Sequence, residues 1–264
     1  MGFAAASSAG TQHDSLRSTP KNLLHGRVAG FCLLALLVAA IFGASSPAQQ
    51  TTLKRYDIYT GFTDLDSPAL GLNQKGFHTQ TGVNLRSWYV LGLDYSVSSG
   101  STVLKPDLLP IALQQQLQPI LVQFLQAGVI PPTYQLALPA HVLTQSIAGG
   151  PQFSNRHFRR VTLFVRPSLG AFRLAATPHP ADPVATVISH ALVPSGHKVD
   201  WTGFYGFGGG DEVMFTNTVG LRTQLDVVYN HPFNDLLANG FWTMRYSAGL
   251  NFHFGRNILA APAK

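Results

Sequence analysis

The sequence predicts an all-β fold: an eight-stranded antiparallel up-and-down barrel that crosses a bilayer with its strands and carries long, partly helical external loops. Three observations predict it. The first is the stretch Phe241–Phe254, FWTMRYSAGLNFHF, in which alternate residues belong to different surfaces. Trp242, Met244, Tyr246, Ala248, Leu250, Phe252 and Phe254 form one face; Thr243, Arg245, Ser247, Gly249, Asn251 and His253 form the other. A period of two sustained this long is a strand whose faces meet different media. It is also long enough to cross hydrocarbon, which takes roughly 9–11 residues of tilted strand. The second is charge: charged residues are 11% of the 264-residue chain, against about 25% in a soluble domain. The third is that, past the N-terminal segment, no apolar run reaches the roughly 18 residues of a helical span.

The chain opens with Arg17, Lys21 and Arg27 ahead of an apolar run, Val28–Gly43, followed by small residues at Ser46 and Ala48. That order is the order of a secretory signal peptide, residues 1–48, cleaved after Ala48. A single transmembrane anchor is the alternative, and the run is short for one. The long polar leader ahead of it points to a translation start further downstream. Cys32, the one cysteine, lies inside the run behind the bulky Phe31, which does not suit a lipidated cysteine. The mature domain, 49–264, then has no cysteine, which excludes disulfides, zinc-thiolate sites and cysteine nucleophiles together. It carries 18 − 3 = 15 Lys and Arg against 12 − 1 = 11 Asp and Glu, with no dense basic cluster. Nothing in that balance implies nucleic acid.

Seven further strands precede the first one described. Arg55–Phe62 sets Tyr56, Ile58, Thr60 and Phe62 against Asp57, Tyr59 and Gly61. Residues 63–76, rich in Asp, Asn, Gly and Pro, read as a loop. Phe77–Leu85 and Trp88–Val97 follow, separated by a very short turn, with His78, Gln80, Asn84, Val90, Asp94 and Ser96 on their inward faces. After the interruption 98–140 come His141–Phe153 and Arg159–Phe172. In the latter Val161, Leu163, Val165 and Leu169 face out while Thr162, Arg166 and Ser168 face in, and Pro167 marks a bulge or bend. A loop, 173–198, leads to Val199–Gly209, with Trp201, Tyr205 and Phe207 outward. A turn, 210–218, leads to Val219–Tyr229, with Arg222, Gln224 and Asp226 inward, and a loop, 230–240, leads to the last strand. The connections alternate between long and short. If the N-terminus is periplasmic, every long one lies outside the cell.

Ser247, Gly249, Phe252 and Phe254 resemble the terminal-strand signal that outer-membrane barrels show their insertion machinery: a polar residue, then glycine, then two aromatics. Here Gly255–Lys264 follow it, whereas such a strand often ends its protein. With eight strands and this signal, the mature chain resembles the small outer-membrane barrels of the OmpA-transmembrane-domain and OmpX kind. The resemblance implies a monomer in the cell outer membrane, in contact with its lipid and inserted by that machinery. It implies a structural or surface-interaction role, not an enzyme.

Under this register the inward charges are Asp57, Asp94 and Asp226 against Arg166, Arg222 and Arg245. An eight-stranded barrel is just wide enough for its own side chains, so these six are expected to pair and plug the lumen. A narrow channel or transporter for small solutes is the alternative. The interruption 98–140 holds Leu113, Leu117, Leu121 and Phe124 at helical spacing, stopped at Gly128 and Pro131-Pro132; a second helix is expected over Asp182–Leu192. Both read as a cap over the barrel, the alternative being an extracellular partner held through 98–140 and 173–198. Gly206–Asp211, GFGGGD, lacks the Lys-Ser/Thr of a phosphate loop. His179, His190 and His197 match no standard metal spacing, and no cofactor, metal or catalytic set is assigned. A soluble periplasmic barrel with a ligand inside would need apolar inward faces, which Arg222, Asp226 and Arg245 oppose.

Overall fold

The computed structural model describes residues 50–259; the expected signal peptide, 1–48, lies outside the described residues. Eight strands follow one another: β1 (Lys54–Ser67), β2 (Leu72–Asn84), β3 (Tyr89–Leu104), β4 (Leu138–Asn155), β5 (Val161–Pro178), β6 (Lys198–Met214), β7 (Val219–Asn230) and β8 (Phe241–Asn257). Each pairs antiparallel with its sequence neighbours, and β8 closes the ring on β1, pairing Ile58 with Phe252 and Gly61 with Gly249. Closure leaves no row of unpaired backbone groups at a sheet edge. The period-two pattern becomes an inside and an outside. In β7, Arg222, Gln224, Asp226, Val228 and Asn230 are buried, and the residues between them are half-buried on the outer face.

The strands outrun their sequence-based bounds. Residues 63–76 are not a long loop: β1 runs to Ser67, β2 starts at Leu72, and a tight turn at Pro68–Gly71 joins them, with Gly71 left-handed at φ 57°. The cause is a change in the outward side chains without a change of backbone. Phe62 and Phe77 face each other as the last apolar pair on the outer surface. Beyond them the ladder continues through Asp64–Lys75 and Asp66–Asn73, with Asn73 donating to Asp64 at 2.8 Å. Outward polar residues on a paired strand read as a loop. For the same reason the expected loops 98–140 and 173–198 shrink to 105–137 and 179–197, the turn 210–218 shrinks to 215–218, and 230–240 becomes 231–240. The expected alternation of long and short connections therefore fails at its first member.

At Pro167 the β4–β5 ladder lapses between the Gly149–Leu169 and Phe153–Val165 pairs and resumes in the same register. Two prolines, Pro151 and Pro167, stand in that gap and have no N–H to give. The result is a gap in the ladder without a bulge.

Two helices stand in the long connections. α1 (Ile111–Gln126) carries Pro119 within it and is followed by Gly128 at φ 72°. α2 (Pro183–Leu192) is capped by Asp182, whose carboxylate accepts from the Ala185 N–H at 2.8 Å. Leu117 of α1 and Val184, Ala185 and Ile188 of α2 are buried together with Leu136 and Leu138. The Tyr134 hydroxyl donates to Asp182, 3.0 Å from one carboxylate oxygen, and ties the segment after α1 to the start of α2.

The barrel interior is layered along its axis. Near the helix-bearing end it is apolar: Leu65, Leu72, Val142, Phe172, Phe204 and Phe241 are buried in one cluster, with Phe172 and Phe204 stacked 4.3 Å apart. Toward the opposite end it is polar and charged.

Candidate functional site

Four strands each place one charge at the centre of the barrel: Asp94 on β3, Arg166 on β5, Asp226 on β7 and Arg245 on β8. They form an alternating ring. Arg166 holds Asp226 with two N–H groups, both at 3.1 Å, and reaches Asp94 at 2.7 Å. Arg245 holds the other side of Asp226 at 2.7 Å and faces Asp94 at 3.5 Å. Its remaining donors meet the Ser146 and Ser96 hydroxyls at 3.1 and 3.3 Å. Two anions and two cations cancel, and every charge has a partner on each side. That satisfies the condition under which buried ion pairs are tolerated.

The two remaining expected charges do not join this ring. Arg222 sits over the face of Phe164, 3.9 Å from the ring centroid, and donates to Gln152 at 2.6 Å. Asp57 accepts from Asn84 at 2.9 Å. All six residues are inward and at most 7% exposed, but the three-against-three pairing expected of them is replaced by a quartet and two separate contacts. Guanidinium stacking on an aromatic face supplies what a carboxylate would otherwise give Arg222.

A further pair went unread in the sequence. Glu212 on β6 bonds His253 on β8, and Asn251 donates to the same carboxylate at 3.0 Å. Ending β6 at Gly209 had put Glu212 in a turn. Continuing the parity of Phe204, Gly206, Gly208 and Gly210 one step brings it inward beside the polar face of β8. Arg156, from the β4–β5 turn, reaches into the same end and donates to Asn84 and Thr162 at 3.0 and 3.1 Å.

Ser247, His78 and Asp94 also come together, which no spacing foretold. The Ser247 hydroxyl is 3.1 Å from His78 Nδ1, and His78 Nε2 is 3.9 Å from Asp94. The three do not form a hydrogen-bonded relay. The histidine–carboxylate gap exceeds a hydrogen bond, Asp94 is held by two arginines, and all three residues are buried inside the barrel. Among the described residues no set of three His, Cys, Asp or Glu converges as a metal site.

The terminal-strand residues divide by face. Ser247 and Gly249 point inward. A Cβ on Gly249 would collide with the Thr60 carbonyl and Gly61 across the β1–β8 seam, so sterics alone call for glycine there. Phe252 and Phe254 point outward, and Phe254 stacks on Tyr56 of β1 at 5.6 Å.

No helix among the described residues is long and apolar enough to cross a membrane. The outer wall of strands is apolar instead: Phe62, Phe207, Trp201 and Leu93 are 81, 64, 61 and 59% exposed. Aromatic side chains cluster at two levels of this wall. Trp88, Tyr89 and Phe153 touch near the short turns, and Tyr205, Tyr229 and Trp242 touch near the helix-bearing end. This is the fold of the small eight-stranded outer-membrane barrels. No protein-family model matches the chain, and no curated protein matches it. Solved outer-membrane barrels that are similar include Neisserial surface protein A, 12% identical over 75% of this chain and 96% of that one, with a TM-score of 0.44. Ail, the attachment invasion locus protein of Yersinia pestis, is 11% identical over 76% of this chain and 99% of that one, at 0.39. The outer membrane protein OprG from Pseudomonas aeruginosa is 8% identical over 79% of this chain and all of that one, at 0.42.

Proposed function

We propose that the protein is an integral outer-membrane barrel, exported through its N-terminal segment, whose lumen is shut by side chains and whose role is structural or surface-contacting. The observation that carries this is the Asp94–Arg166–Asp226–Arg245 ring. It joins strands from opposite sides of the barrel through direct contacts of 2.7–3.5 Å, which supports a lumen filled by its own side chains. Residence in a bilayer is supported by the two aromatic levels. On β8 they are marked by Trp242 and Phe254, twelve residues apart. Twelve steps of about 3.3 Å at a strand tilt of roughly 40° put them about 30 Å apart along the axis, the thickness of a hydrocarbon core. A soluble barrel would gain nothing from that exposed aromatic surface.

A narrow channel is the second reading, and one observation favours it. Among the described residues, several buried side-chain atoms, including Gln80 Oε1, His78 Nε2 and Ser168 Oγ, have no hydrogen-bond partner. Buried polar atoms of this kind are ordinarily met by water. Planar-bilayer recording on the purified protein separates the two. The expected result is silence from the native barrel and discrete openings from the double variant Asp94→Ala/Arg245→Ala, which removes one charge of each sign. Steady ionic conductance in the native protein would overturn the plugged reading.

A further inference from the structure

The apolar end of the barrel holds a cavity of about 90 Å³, walled by Leu72, Leu104, Val142, Leu174, Leu192 and Leu237. It lies between the strand rims, the end of α2 and the 231–240 segment. Its three polar wall residues are already committed. Thr102 donates to the Leu70 carbonyl at 2.5 Å, Ser189 donates to the Thr186 carbonyl at 2.9 Å, and the Lys198 ammonium is paired with Asp235 at 2.5 Å. The two hydroxyls have given their protons to backbone carbonyls, and Lys198 already shares its charge with Asp235. A carboxylate entering would have to shed its hydration and compete with Asp235 for Lys198. A hydrocarbon entering would lose nothing. Apolar cavities lined by Leu and similar residues stay dry and take up benzene or xenon at about 150 Å³, so this smaller one matches a molecule of a few carbons.

We propose that this cavity is a binding site for small uncharged apolar molecules, entered from the helix-bearing end. It is a dead end. The Phe172–Phe204 layer and the charged ring lie between it and the other mouth, so the site captures a ligand and does not pass it through the lumen. The proposal goes beyond the plugged-barrel reading and does not need the barrel to be silent.

The test uses the full mature protein in lipid nanodiscs, with Leu and Val methyl groups labelled for NMR, and the probes propane and propanoate. Propane is expected to shift the Leu174 and Val142 methyls saturably, and propanoate to bind at least about tenfold more weakly because its charge must be desolvated and must compete with Asp235 for Lys198. Filling the cavity with Ala176→Phe should abolish the saturable shift while the outward Val165 methyls stay at their native positions. Ala140→Leu, a milder filling change on the neighbouring strand, serves the same purpose if Ala176→Phe does not fold. Three results would overturn the site: shifts that rise linearly and equally at Val165, as partition into lipid gives; saturable binding that survives the filling variant that folds; or propanoate binding tighter than propane and losing that advantage in Lys198→Met.

Discussion

At the residue scale the lumen is governed by how many partners each buried charge has. Asp226 is the sharpest case, since both arginines of the ring bond it and Gln224 donates to it at 2.7 Å. Truncating it leaves two buried guanidiniums to share the one carboxylate of Asp94, and breaking a buried pair from one side costs about 3–5 kcal/mol. Asp226→Ala is therefore expected to lower the unfolding free energy of the barrel in vesicles by that order, well beyond the effect of Asp57→Ala, whose side-chain hydrogen bond is to an amide. Equal losses for the two would show that the ring is no more than a collection of independent contacts. The same ring explains a glycine the sequence left ambiguous. A Cβ at Gly208 on β6 would press into the Asp226 carboxylate, so GFGGGD is a strand that yields space to charges and backbones. In the sequence, the missing Lys-Ser/Thr separated it from a phosphate loop.

At the scale of elements, all eight strands and both helices were legible, because a two-residue or 3.6-residue period survives any tertiary arrangement. Their ends were not. The apolar outer face of β1 stops at Phe62 while its ladder runs to Ser67, and a sequence reports the medium outside a strand more plainly than the pairing of its backbone. Glu212 was lost for that reason, and with it the His253 partner. The quartet was legible as a set of inward charges, but which charges pair depends on stagger and on aromatic neighbours such as Phe164, which parity does not encode. The helical segments give a pH test. Burial, together with the Asp182 carboxylate that accepts its hydroxyl, pushes the Tyr134 phenol up to about 12. A folded value above the ordinary value near 10 favours the protonated form. Its contribution to docking α2 is therefore complete below about pH 10 and lost as pH rises toward 12. Ultraviolet titration of the native protein minus that of Tyr134→Phe should show one phenolate appearing near pH 12. A difference centred near 10 would mean that the Tyr134–Asp182 contact is not kept in solution.

At the scale of the whole molecule, three zones stack along one axis, and each has its own chemistry on both surfaces. The mouth near the short turns is polar inside, the middle is charged inside and apolar outside, and the helix-bearing end is apolar inside, with Asp64, Asp66, Asn73 and Lys75 on the outer face of its β1–β2 ladder. This inversion at the far end has a physical source. Once the strands rise past Phe62 and Phe77 the outer surface meets water, and the barrel must find its core inside itself, as a soluble barrel does. One substitution placed in two zones tests the arrangement. Leu93 faces outward between the two aromatic levels, and Val103 faces outward on the same strand beyond the upper one. Arginine on the lipid face costs about 2–4 kcal/mol at the midplane and about 0–1 near the interfaces. Leu93→Arg is thus expected to lower unfolding stability in vesicles by the larger amount and to reduce the fraction of unboiled protein that migrates as the compact, heat-modifiable form. Val103→Arg should leave both near native. A soluble barrel would respond alike at the two positions, since both are open to water. Equal and small effects, with the protein recovered from the soluble fraction, would therefore move the chain out of the membrane while leaving its eight strands in place.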